Sequence, residues 1–417
     1  MKKSTTKLFS LLLAMCMMLG IAGSAIAEGK ETPLVFGTGH FNQKFSPFYS
    51  DSVYDSDVSG MIQLGLMVLD RMGETIYNGI EGETKNFNGN DYTYYGPADL
   101  KVEYDQEKDI TTYTTKLRDD LKFSDGEPVT ADDLIFTYYV YLDPGYVGST
   151  TMNSYPIIGL DSYVTQVPQE LYDNFTKVFD GIYEAKADHE WAEGDEWTKE
   201  QQESVWAAME AEWKKDLQGI VDYVVTNYAE MAEDIGKTAE EVVADADLQA
   251  ALTMFAWNFG KYEDGKLTGG EKTWDLAAGE KPTFDEFYEV VYNLYEGDAV
   301  KYWDTEKVDN DDVHGTVKAA FVKEEASKDE AASAGVPNIA GIEKVDDYTV
   351  TVKTKGYEAP AIYSILGIAV APKHYYGDPE QYDYDNNQFG HPFGDLSVVE
   401  SKTSDPMGAG PYKFVEY

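Results

Sequence analysis

Hydrophobic periodicity changes twice along this chain of 417 residues, and that pattern limits the folds open to it. Leu100-Lys101-Val102-Glu103-Tyr104 alternates apolar and polar residues, and so does Tyr113-Thr114-Thr115-Lys116-Leu117. Alternation with a period of two is the mark of a half-buried strand, so the turn from Asp105 to Asp109 is expected to join a hairpin. The same texture returns after Gly341. Ile342 to Val345 and Tyr348 to Val352 flank a second turn at Asp346-Asp347.

Between these stretches the period becomes helical. Three Thr-x-x-Glu/Gln capping boxes stand at Thr198 with Gln201, Thr238 with Glu241 and Thr283 with Glu286. Each precedes an apolar set at helical spacing. The first is Val205, Met209, Trp213, Leu217, Ile220 and Val224. The second is Val242, Leu248, Leu252, Phe255 and Phe259. The third is Phe287, Val290, Val291 and Leu294. Residues 181–330 hold 38 acidic residues against 14 lysines and arginines, and all seven tryptophans lie in this stretch. The expectation is a mainly helical module over 167–335 with a solvated acidic face and an aromatic core.

Shorter signals fill in the flanks. Leu34-Val35-Phe36 reads as a strand stopped by Gly37-Thr38-Gly39. Val58 to Leu69 reads as a buried helix, and Ala359 to Val370 as a compact apolar segment. Asp125-Gly126 is a tight turn. Thr130, followed three residues on by Asp133, opens a helix through Leu134, Ile135, Phe136, Tyr138 and Tyr139 that ends at Asp143-Pro144-Gly145.

Residues 1–27 read as a secretory signal. They combine Lys2, Lys3 and Lys7, an apolar run from Leu8 to Ile21, and the small-residue site Ala25-Ile26-Ala27. A retained anchor is the alternative. Cys16, the only cysteine, lies within the apolar run. Leu13-Ala14-Met15 before it is a poor match to a lipoprotein signal, so lipidation is the less favoured reading. Export to the periplasm or the outer face of the cytoplasmic membrane is expected.

A net charge of −43 opposes nucleic-acid binding, which needs clustered Lys and Arg on the phosphates. There is no G-x-x-x-x-G-K-[ST] loop, no G-x-S-x-G elbow and no H-E-x-x-H. His40, His189, His314, His374 and His391 form no metal-spaced pair. Asp309-x-Asp311 starts like a calcium loop, but Val313 and His314 break the pattern. No catalytic residue, metal site or cofactor is assigned. A secreted glycoside or peptide hydrolase stays open, because a carboxylate pair cannot be read from so many acids. A surface interaction module acting through the Trp-rich block also stays open, and an exposed Trp stripe would favour it.

The order of four motifs adds a resemblance. A signal segment leads to a Ser46-Pro47-Phe48 loop. Leu117-Arg118-Asp119 then precedes Leu121-Lys122-Phe123-Ser124-Asp125-Gly126-Glu127-Pro128-Val129-Thr130-Ala131-Asp132-Asp133. Val345-Asp346-Asp347-Tyr348-Thr349-Val350 leads to Ala371-Pro372-Lys373-His374. Last comes Gly408-Ala409-Gly410-Pro411-Tyr412-Lys413-Phe414. This resembles the family 5 extracellular solute-binding proteins, the oligopeptide, dipeptide and nickel receptors of ABC importers. The resemblance covers 28–155 and 336–417.

It implies an α/β, periplasmic-binding-protein-like (type II, venus-flytrap) first lobe with a mixed sheet. That lobe would be formed by 28–166 and 336–417. The block 167–335 would be a large mainly helical insertion, and the second lobe would be largely missing after the Gly408–Phe414 segment. The implied role is non-enzymatic capture of peptides or a similar small solute for a permease and ATPase complex. The membrane is met only through the permease or a lipid anchor. The loop Gly39, His40, Phe41 and Asn42 is the expected contributor to substrate binding. Gly408 to Tyr412 is expected near the hinge, with glycine permitting a bend.

Overall fold

A computed structural model describes residues 35–306 and 312–417. The signal segment 1–27, Cys16, Leu34 and the Asp309–Asp311 stretch lie outside the described residues. Val35 and Phe36 lie within them, but in irregular chain and highly exposed, so they do not continue a strand.

Helix α1 (Val53–Ile62) precedes the hairpin of β1 (Ala98–Asp105) and β2 (Ile110–Leu117). Alternation places the side chains as expected: Thr111, Tyr113, Thr115 and Leu117 are buried, and the residues between them are not. The turn is held by Asp105, whose carboxylate accepts the amides of Glu107 at 3.1 Å and Lys108 at 3.2 Å. Next is α2 (Ala131–Tyr141), capped by Asp133, which accepts both the Thr130 amide (3.0 Å) and the Thr130 hydroxyl (2.9 Å). Every residue of this helix is buried except Asp132 and Tyr141, so it packs on all of its faces. Leu134, Ile135, Tyr138 and Tyr139 join the sheet's core, while Phe136 and Val140 face a second cluster with Phe48, Tyr376 and Val399.

The helical block follows. Its main helices are α3 (Gln169–Ala185), α4 (Lys199–Asn227) and α5 (Ala246–Ala256). A three-stranded antiparallel sheet then interrupts it: β3 (Lys261–Glu263), β4 (Lys266–Gly269) and β5 (Lys272–Asp275). Helices α6 (Phe284–Leu294) and α7 (Val313–Ala326) close it. All three capping boxes form. The apolar sets are buried with two exceptions: Phe255 is partly buried, and Leu294, the last residue of α6, is 52% exposed. Trp213 and Trp274 are core residues, and Trp197, Trp206 and Trp257 pack against that core. Trp191 is exposed and Trp303 half-buried, and a single exposed tryptophan makes no stripe.

Strands β6 (Ile342–Asp346) and β7 (Thr349–Lys355) return to the first hairpin. The sheet order is β6-β7-β2-β1, with Tyr113 opposite both Val102 and Val352. The α/β composition is as expected. Every named strand pair is antiparallel, because hairpins join β1 to β2 and β6 to β7, so the sheet among the described residues is not mixed.

Two main cores result. One draws its buried residues from Val167 to Ala326, the other from Leu66 to Tyr163 and Ile339 to Phe389. The chain leaves and re-enters the sheet region at one point. The Gln166 amide donates to Val336 O at 3.1 Å, and its carbonyl oxygen accepts the Val336 amide at 3.2 Å.

The run Val58 to Leu69 is only partly helical. Helix α1 stops at Ile62, and the following residues pair in extended form with a segment some 300 positions away. Leu66 N donates to Ile368 O (3.1 Å), and Val370 N donates to Leu64 O (3.3 Å). The hydrophobic run is thus buried by pairing with the apolar segment expected at Ala359 to Val370.

Candidate functional site

The motif segments far apart in sequence meet around α1 and the Asp125-Gly126 turn. His374 Nε2 lies 2.7 Å from Asp125 Oδ2. Burial alone would raise the Asp125 carboxyl. The hydrogen bonds from His374 and from Glu127 N outweigh that and hold it below its ordinary value. The Ser124 amide donates to Gly408 O at 3.0 Å, and the Gly410 amide donates to Ile62 O at 2.7 Å.

Neither Gly408 nor Gly410 has a positive φ. Glycine is needed there for close approach: a Cβ at Gly408 would stand 2.4 Å from Ile62 O, and one at Gly410 would stand 2.5 Å from it. The segment is therefore a backbone contact against the end of α1, where glycine serves close approach.

The loop expected to contribute to binding lies at the other end of α1. Gly39 lets the chain pass the ring of Tyr54, since a Cβ there would stand 2.4 Å from it. His40 is exposed. Phe41 meets Phe45 edge-on at 5.5 Å and Tyr417 edge-on at 5.6 Å. Phe45, 1% exposed, also touches Phe414 and Tyr417 at 5.6 Å each. Asn42 is held at two points. Its amide nitrogen in the backbone donates to Asp55 Oδ2 at 2.9 Å, and its side chain donates to Asp51 Oδ1 at 3.0 Å.

Asp55 is the polar centre of this arrangement. It is fully buried in the first turn of α1, where an acid also complements the helix N-terminus. Its Oδ2 accepts the Ser52 hydroxyl at 2.7 Å as well as Asn42 N, while Oδ1 has no hydrogen-bond partner. Asp51 lies on the surface beside it. Hydrogen bonds from Asn42 and then from Lys44, whose Nζ is 2.6 Å away, keep its carboxyl below the ordinary range.

The structure thus brings Phe41 and Asn42 together with a cluster of rings and two carboxylates. Gly39 serves packing against Tyr54, and His40 stands apart. Asp55, Phe414 and Tyr417 went unread in the sequence; Ser52-x-x-Asp55 was the one available signal, as an N-cap pattern. Asp55 and Phe45 are buried, so the surface presented here consists of half-buried Phe41 and the exposed Asn42 and Asp51. A separate shallow concavity of about 710 Å³ lies by β1 and β2, lined by Tyr77, Lys101, Tyr104, Lys116 and Tyr357 among others. No group of three or more His, Cys, Asp or Glu placed to hold a metal ion occurs among the described residues.

Comparison with known proteins finds similarity over part of the chain. Residues 71–244 match the family described as bacterial extracellular solute-binding proteins, family 5 Middle. The matched range includes β1, β2 and α2 and runs on into the helical block. The periplasmic oligopeptide-binding protein OppA of Escherichia coli is 32% identical over 123 residues, which cover 30% of this chain. The chain spans 18% of that protein's length. Among solved structures, Haemophilus influenzae OppA in complex with RPPGFSPFR is 25% identical, over 29% of this chain and 20% of that one, with a TM-score of 0.22. Lactococcal OppA with an endogenous peptide is 32% identical over 29% and 19%, also with a TM-score of 0.22. Over residues 71–244, the chain is similar to the family 5 bacterial extracellular solute-binding proteins.

Proposed function

We propose that this chain captures peptides outside the cytoplasm as part of the receptor of an ABC importer, and that a permease and ATPase complex receives the cargo. The observation that carries this reading is the 32% identity over 123 residues with a protein named for periplasmic oligopeptide binding. The site proposed to contribute is the Gly39–Asn42 loop, with Phe41 and Asn42 presented over Asp55. A receptor works by differential affinity for its states and needs no nucleophile. Its fold would be the binding-protein lobe, built from 28–166 and 336–417, with 167–335 inserted. Two separate cores divided near those boundaries support that organisation.

Export through the 1–27 signal belongs to the same reading. No helix among the described residues is long and apolar enough to cross a membrane. The alternative of an interaction module is weakened, since five of the seven tryptophans lie in or against the block's core and Trp191 alone is exposed.

Calorimetry with peptides of two to about nine residues, at concentrations up to the millimolar range, tests the proposal. Saturable heat that is lost in Phe41→Ala supports it, and peptides recovered intact by mass spectrometry exclude hydrolysis. Absence of binding by every peptide length, or cleavage of the peptides, would overturn it.

A further inference from the structure

The helical block holds a second concavity that plays no part in the peptide-receptor reading. It measures about 450 Å³, within the range of small-molecule sites. Trp213, on α4, is 1% exposed and forms its floor. Tyr288 and Tyr292, one turn apart on α6, form a wall, and Trp206 lines it from the preceding part of α4. The rings are inclined to one another, so they enclose a space and do not stack flat. Trp213 meets Tyr292 at 5.5 Å and 50°, and Tyr288 at 6.2 Å and 84°; the two tyrosines meet at 5.8 Å and 46°.

Two carboxylates stand at these rings, each paired with a lysine: Glu210 with Lys214 at 2.7 Å and Glu289 with Lys272 at 2.6 Å. Glu210 and Glu289 line the same space. The Tyr288 hydroxyl is raised by burial and then by the Glu210 charge, and the Tyr292 hydroxyl by burial and then by the Asp188 charge. One of these rings already meets a cation from outside the concavity. Lys214 Nζ sits 5.0 Å from the Tyr288 ring centroid while pairing with Glu210 at 2.7 Å and Asp285 at 2.8 Å. Inclined aromatic faces with carboxylates at the rim favour a cation over a neutral or anionic guest.

We propose that this concavity between α4 and α6 binds a small organic cation of the alkylammonium class, seated against Trp206, Trp213 and Tyr292. The proposal is independent of the peptide-receptor function, since none of these residues belongs to the Gly39–Asn42 site. Choline is the probe, and 3,3-dimethyl-1-butanol, its uncharged isostere, is the control. Tryptophan fluorescence of the full chain is titrated with each.

The expected result is saturable quenching by choline that weakens with added salt, and binding of the isostere at least about tenfold weaker. Tyr292→Leu should lower choline affinity about tenfold, while Tyr292→Phe, which keeps the ring face, should retain it. Unchanged circular dichroism and melting temperature show that each variant is folded; Trp206→Leu is the second variant should Tyr292→Leu unfold. Equal binding of choline and the isostere would overturn the proposal, because it would reduce the site to an apolar groove. No binding of choline up to about 50 mM would also overturn it.

Discussion

Phe287→Ala should melt the helical block without melting the sheet region. Phe287 lies on the inner face of α6, fully buried, with Phe259 at 5.6 Å and Phe284 at 6.2 Å. Its ring has no polar atom, so the cost of removal is lost transfer energy plus the cavity left behind, about 4 kcal/mol. For a cooperative unit of the block's size, each kcal/mol shifts the midpoint by about 2–4 °C, giving a fall of roughly 8–16 °C. The sheet's core shares no buried residue with the block's core, so its stability should change little.

Two probes separate the regions. All seven tryptophans lie between Trp191 and Trp303, so fluorescence excited selectively in tryptophan reports on the block alone. Amide hydrogen exchange in β2, at Tyr113 to Thr115, reports on the sheet. The expected outcome is an early fluorescence transition with β2 protection retained through it. A single coincident transition, with β2 amides losing protection at the same lowered temperature, would refute the independence of the two cores.

Four further outcomes follow from named contacts. Gly410→Ala should destabilise the protein by about 1–3 kcal/mol, read as a lower urea midpoint at unchanged slope, because its Cβ meets Ile62 O at 2.5 Å. Asp55→Ala should cost about 2 kcal/mol and speed amide exchange at Asn42, whose backbone nitrogen donates to Asp55 at 2.9 Å; unchanged exchange would show that the loop is held by other contacts. His391 is buried beside Asp143, and burial lowers its pKa, so between the folded value and the ordinary value near 6.5 the unfolded chain binds more protons. Stability should therefore fall as pH drops from 7 through that window, and in His391→Leu the fall should shrink; an identical pH profile would rule His391 out as its source. Asp125 is shifted down, so its contribution is present above about pH 4 and lost on further acidification; Asp125→Asn should flatten the acid limb of the stability curve.

The parts legible in the sequence are those fixed by neighbours a few residues away. Tyr113 and Leu117 alternate into the core because the strand period is two, and Thr198, Thr238 and Thr283 cap helices through residues three positions on. The run Leu64 to Leu69 misled because its partner, Ile368 to Val370, is distant in sequence, so composition showed burial but not conformation. The sheet of β3, β4 and β5 carried a local signal that went unread: Asp264-Gly265, both at positive φ, is a hairpin turn pair. The loop at Phe41 is expected to follow a strand that residues 35 and 36 do not form, and the ring contacts of Phe41 with Tyr417 and of Phe45 with Phe414 join segments far apart in the sequence. No spacing rule reaches that far.

The Gln166–Val336 clamp has a genetic consequence. Both crossing points of the helical block meet at one side-chain amide, so the termini of 167–335 are neighbours in space. A segment with adjoining ends is one whose removal or replacement displaces the flanking chain little. Splicing Gln166 to Val336 through a short glycine linker would therefore have little distance to bridge.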